Sequence, residues 1–140
     1  MMDKVVIDHQ NKTLQIYDLK CTWSVDNFLE EYYLYRRAYI QALLYWQAGV
    51  FMTQREEELA GYKVEFPKFI VCDSTNYMNP LIYTLGDKDM EDAYMGFEYK
   101  GRNYPGVKQL IEDLKWAQEN QVWNISRENF TSNGQVKIRG

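Results

Sequence analysis

At 140 residues, with 46% hydrophobic and 26% charged residues, the chain has the size of one ordinary globular domain with a sizeable core and leaves no room for a second, so a single domain over 1–140 is expected. No window approaches the roughly 18 apolar residues of a membrane span, and the N-terminus lacks a signal-peptide layout, so a soluble, cytoplasmic protein with no membrane partner is expected. A net charge of −4 argues against a broad non-specific phosphate-binding face but leaves nucleic acid open as a substrate.

In chain order, residues from Lys4 to Lys20 read as a β-hairpin. The run Val5-Val6-Ile7 is followed by a polar turn, His9-Gln10-Asn11-Lys12, and an alternating strand, Thr13-Leu14-Gln15-Ile16-Tyr17, that ends in Asp18-Leu19-Lys20. A long helix is predicted next, from Ser24 or Asp26 as N-cap to Gly49 as C-terminal stop, with Phe28, Tyr32, Tyr35, Tyr39 and Leu43 as inward candidates. The charged segment Gln54 to Gly61 reads as a helix end or a loop. Two strand-like runs follow, Lys68 to Cys72 and Leu81 to Leu85, joined by a loop-like Ser74-to-Pro80 stretch. Helices are predicted from Asp87 to Tyr94 and from Val107 to Asn120, the second offering Leu110, Ile111, Leu114 and Trp116 for packing, and the residues beyond read as loosely structured. The order β-β-α-β-β-α-α is that of an α/β domain on a mixed sheet.

Among side chains with chemistry, Cys21 and Cys72 lack a CxxC or Cys/His spacing and read as small buried thiols. The one histidine, His9, sits in a turn and makes a poor general base. The 12 tyrosines suit core filling more than base stacking.

An acid-x-Lys triplet occurs three times, at Asp18-Leu19-Lys20, Glu98-Tyr99-Lys100 and Asp113-Leu114-Lys115, and only the first closes a strand. If the hairpin turns at Asn11-Lys12 with Gln10 opposite Thr13, one sheet face carries Asp3, Val5, Ile7, Leu14, Ile16, Asp18 and Lys20. Asp3 is then the diagonal neighbour of Asp18, roughly 7–8 Å away between backbones, a separation two carboxylates can close around one divalent ion. Asp8 falls on the other face, and a slip of one residue would exchange the two aspartates. Hydrolysis of a phosphodiester needs charge neutralisation and a strong nucleophile, both of which an oxygen-liganded Mg²⁺ or Mn²⁺ supplies, while Lys20 on the same face can serve the attacking water or the developing charge. On the long helix, Gln41 and Tyr45 lie four residues apart on one stripe, with Arg37 one turn earlier.

Asp-Leu-Lys at a strand end, a long helix and Gln-x-x-x-Tyr on it resemble the RecB-like branch of the PD-(D/E)XK nucleases, and the chain is most similar there to phage exonucleases of the exonuclease VIII type. The resemblance extends to Tyr35-Arg36-Arg37-Ala38-Tyr39-Ile40-Gln41-Ala42, to Asn79-Pro80-Leu81-Ile82-Tyr83 and to Leu114-Lys115-Trp116. It implies a restriction-endonuclease-like core, a mixed sheet flanked by helices, in which Asp3 and Asp18 are metal ligands and Leu19 offers its backbone carbonyl to Mg²⁺ or Mn²⁺. Lys20 would serve the attacking water, and Gln41 and Tyr45, with Arg37, would position the substrate backbone. It also implies DNA as partner, and leaves room for a homo-oligomer and a phage recombination partner protein. The family's acidic helix and first strand normally precede the motif aspartate, whereas Asp3 stands almost first here, so an N-terminally truncated domain is expected. The leading expectation is a divalent-metal-dependent deoxyribonuclease, an exonuclease of phage or prophage recombination. The runner-up is a catalytically degenerate DNA-binding or assembly module on the same fold.

Overall fold

The computed structural model describes residues 2–75 and 79–138. These fall into two compact units, Met1–Tyr94 and Met95–Gly140, where a single domain is expected from length alone.

In the first unit, strands β1 (Lys4–Asp8) and β2 (Thr13–Thr22) form the expected hairpin, and β2 is the spine of a mixed sheet. On β2, Leu14, Ile16 and Asp18 are buried while Gln15 and Tyr17 are half-buried and Leu19 is exposed, the period-2 signature of a strand with one face on the core. Cys21, expected as a buried thiol, falls on the outer face and is exposed, and Cys72 is half-buried. The hairpin pairs Asp8 with Thr13, Val5 with Ile16 and Lys4 with Tyr17. This register differs by two residues from the one assumed from sequence, because Asp8 closes the turn by accepting hydrogen bonds from the backbone N–H of Gln10 and Asn11 and from the Asn11 side chain. A shift of two preserves the faces, so Asp3 stays on the Asp18 face; continued by one pair, the register sets it directly opposite Asp18 rather than diagonal to it.

Parallel partners for β2 come from β3 (Lys63–Val64), beside Thr13 and Leu14, and β4 (Lys68–Asp73), beside Tyr17 to Thr22. The two-residue β3 lies outside the strands read from sequence. On the far side of β4, β5 (Leu81–Tyr83) runs antiparallel and stops two residues short of the expected Leu85. The loop expected over Ser74 to Pro80 includes residues 76–78, which lie outside the described residues.

The long helix expected from Ser24 or Asp26 to Gly49 is three pieces. A 3-10 turn (Val25–Asn27) leads into a π-helix (Leu29–Tyr35), and an α-helix, α1 (Ala38–Arg55), follows a break at Arg36 and Arg37. Arg37 adopts a left-handed conformation (φ 56°, ψ 38°), which interrupts the helical ladder. Neither expected cap is made by a side chain: Ser24 caps only the 3-10 turn, without a side-chain hydrogen bond. Gly49 is not a stop. It is buried in α1, where a Cβ would come within 2.9 Å of Val64 and 3.1 Å of Ile16, so it is the point at which helix and sheet approach most closely. Of the five inward candidates, Phe28, Tyr39 and Leu43 are buried and Tyr32 is half-buried, but Tyr35 points to solvent at 72% exposure. The break changes the helical phase between Tyr35 and the residues of α1. Phe28 packs against Phe69 and Tyr83, with ring centroids 5.0 and 4.7 Å apart, and so ties the π-helix start to β4 and β5. Helix α2 (Asp87–Met95) matches its expected span to within one residue.

The second unit holds a hairpin of β6 (Phe97–Tyr99) and β7 (Arg102–Tyr104), turning on Lys100 and Gly101, both at positive φ, followed by α3 (Val107–Asn120) and α4 (Arg127–Thr131). Helix α3 has the expected bounds, although Ile111 and Leu114 remain about half exposed. The residues after it are more ordered than composition suggests, since Ser126 caps α4 by accepting from the Asn129 N–H and Phe130 packs edge-on against Trp116 at 5.4 Å. Among the described residues no helix is long and apolar enough to cross a membrane.

Candidate functional site

Period-2 alternation on β2 points Asp18 and Lys20 to the side covered by α1, and the i, i+4 spacing on α1 points Gln41 and Tyr45 back at them. The four side chains form one chain of contacts. The Lys20 ammonium lies 2.5 Å from Asp18 Oδ2 and donates to Gln41 Oε1 at 3.0 Å. Gln41 Nε2 in turn donates to the Tyr45 hydroxyl at 2.8 Å and, more weakly, to Asp18 Oδ1 at 3.5 Å. Tyr45 is braced from below by packing against the buried cluster of Leu14, Ile16 and Leu59.

Asp18 is 2% exposed, unusual for a carboxylate. Burial pushes its carboxyl above the usual range, outweighing the Lys20 ammonium that draws it down, and the charge of Asp3 adds to the rise. Its Oδ2 is fully buried and faces the Lys20 ammonium.

Asp3 is anchored across the strand, accepting from the Leu19 N–H at 2.8 Å, and it is near enough to raise the Asp18 pKa. Leu19, whose carbonyl the resemblance offers to a metal, follows Asp18 on β2 and is tied to Asp3 through its N–H, with its own side chain half exposed. Asp8 is held at the turn by Asn11, away from Asp18, and these hydrogen bonds keep its carboxyl below the usual carboxylate range.

The donor set suits a hard cation. Two carboxylates and a backbone carbonyl are the oxygen ligands Mg²⁺ or Mn²⁺ takes, and Mg²⁺ keeps several waters rather than requiring an all-protein cage. Among the described residues there is no group of three or more His, Cys, Asp and Glu side chains placed to hold an ion. For an ion to reach Oδ2, Lys20 must yield that oxygen while it keeps its hydrogen bond to Gln41.

A groove of about 560 Å³ opens beside this network. It is lined by Lys20, Tyr32, Arg36, Arg37, Gln41 and Tyr45, together with three apolar residues of α1. Arg37, expected one helical turn before Gln41, is instead the left-handed residue preceding α1, and still faces the groove. Tyr32, expected as an inward core residue, lines the groove instead, as does Arg36, which the sequence placed only in the Tyr-Arg-Arg run; the break that turns that run toward Lys20 was not legible. The other acid-x-Lys triplets are not assembled in this way: Glu98 is on the β6 hairpin and Asp113 on α3, facing Arg127.

No protein-family model matches the chain, and neither a curated protein nor a solved structure matches it.

Proposed function

We propose that the chain is a divalent-metal-dependent deoxyribonuclease that hydrolyses DNA phosphodiester bonds, acting as an exonuclease in phage or prophage recombination. The observation that carries this reading is the buried carboxylate of Asp18, flanked by Asp3 and Lys20 beside a groove with three cationic side chains. Mg²⁺ or Mn²⁺ held by Asp18, Asp3 and the Leu19 carbonyl would neutralise phosphate charge and lower the pKa of a bound water.

The chain's own residues supply the rest. Lys20, freed from Oδ2, orients the attacking water or offsets charge developing on the phosphate. Gln41, fixed between Lys20 and the Tyr45 hydroxyl, holds the substrate backbone at the groove wall. The two arginines offer guanidinium forks that fit phosphate oxygens.

The test is release of nucleotides from linear DNA with Mg²⁺ or Mn²⁺ and with EDTA. Metal-dependent release that Asp18→Asn abolishes is expected. DNA binding without release by the native chain would replace this reading with a DNA-binding or assembly module.

A further inference from the structure

We infer that the kink between the π-helix and α1 is a second phosphate subsite, in which Arg36, with Arg37 beside it, grips the phosphodiester neighbouring the one at Asp18 and Lys20 on a single DNA strand. The inference rests on the functional reading above and names how that groove engages its substrate.

Arg36 is held in place rather than left to wander. Its guanidinium lies over the Tyr32 ring at 4.5 Å from the centroid, and the Tyr32 hydroxyl donates to the Cys21 carbonyl at 2.6 Å. Cys21 follows Lys20 on β2, so the cation on the helical side is tied to the strand that carries the proposed catalytic lysine. Stacking on an aromatic face leaves the edge of a guanidinium free to fork onto phosphate oxygens, and fixing it beforehand removes part of the ordering cost of binding.

Charge points the same way. Elsewhere in the described residues, Lys63, Lys88 and Arg127 each have a carboxylate within ion-pair distance, as does Lys20. Among the described residues no such carboxylate stands beside Arg36 or Arg37, and the same holds for Lys4, Lys12, Arg55, Lys68 and Arg102; what sets the two arginines apart is that both line the groove, in a chain that carries −4 as a whole. Two cations left uncompensated in an acidic chain, both lining the groove that holds Lys20, fit an anionic ligand arriving from outside. Arg37 keeps a left-handed backbone that glycine would adopt more readily, and strain of this kind persists where the surroundings enforce it.

The experiment is a fluorescence-anisotropy titration of a 5′-labelled 12-nucleotide oligothymidylate with the full chain, in EDTA so that nothing is cut, repeated across a salt series. For Arg36→Ala we expect affinity to fall about tenfold and the slope of log K against log salt to flatten by roughly 0.7, the value for one lost phosphate contact on a single strand. Tyr32→Phe, which keeps the ring and removes the tether to Cys21, should give a smaller loss with the slope unchanged. Arg36→Lys should restore the slope but not the full affinity, since an ammonium lacks the fork. If Arg36→Ala melts below the assay temperature, Arg36→Gln is read in its place. Native affinity and slope in the Arg36 variants, or no binding by the native chain, would overturn the subsite. Because metal is withheld, this result is independent of whether the chain cuts DNA.

Discussion

Asp18 and Asp8 are carboxylates on one hairpin with opposite surroundings, and the difference assigns their roles. Asp8 is exposed, and its N–H partners favour the ionised form, so its folded pKa lies below the unfolded 3.8. Its contribution to stability is therefore fully present above that value and is lost as pH falls through the folded pKa. Asp8→Asn should lower the melting temperature slightly at pH 7, and the difference from the native chain should shrink as the pH falls below 3.8; a difference that grows on acidification would contradict the turn geometry. Asp18 is buried against Lys20. Millimolar Mn²⁺ should raise the melting temperature of the native chain and of Asp8→Asn alike, and should not raise that of Asp18→Asn. Thermal shift measurements on the three proteins check this, and an unchanged Asp18→Asn response would move the ion elsewhere. At this scale the sequence was readable: strand alternation put Asp3, Asp18 and Lys20 on one face, and helical spacing aligned Gln41 with Tyr45. That Lys20 reaches Gln41 across 21 residues was not readable, because no local pattern encodes how a helix settles on a sheet.

The elements that sequence located well are those whose periodicity matches their burial: β2, β4 and α3 keep the expected positions. The long helix did not, for two physical reasons. Nothing in Tyr35-Arg36-Arg37-Ala38 is a poor helix former, so the left-handed Arg37 is imposed by tertiary packing and leaves no mark on propensity. Gly49 carried a misleading mark, since a glycine late in a helical pattern reads as a C-terminal stop, yet here it lets α1 approach β2 and β3. Gly49→Val should therefore cost about 1–3 kcal/mol by overpacking against Val64 and Ile16, read from urea denaturation. A neutral substitution would mean that α1 does not sit against Ile16 as described. The hairpin of β6 and β7 was missed because its strands are only three residues each, too short for alternation to register.

For the whole molecule, the net charge of −4 and the cationic groove make a joint statement about binding. Two groove cations without an ion-paired carboxylate, Arg36 and Arg37, correspond to about two released counterions, so log K for single-stranded DNA should fall with log salt at a slope of roughly −1.4. A slope of −5 or steeper in a salt titration would require a wider basic face than the chain carries. The chemical claim itself turns on the division of labour between Lys20 and Gln41, which share a hydrogen bond but have different tasks. The most direct measurement is nucleotide release from linear DNA in Mn²⁺, with binding measured in parallel, for the native chain, Lys20→Ala and Gln41→Ala. Lys20→Ala should lose roughly 10²-fold or more in rate with binding nearly intact, and Gln41→Ala should weaken binding and cost less in rate. Equal rates for the native chain and Lys20→Ala, or no metal-dependent release by any of the three, would contradict the nuclease account.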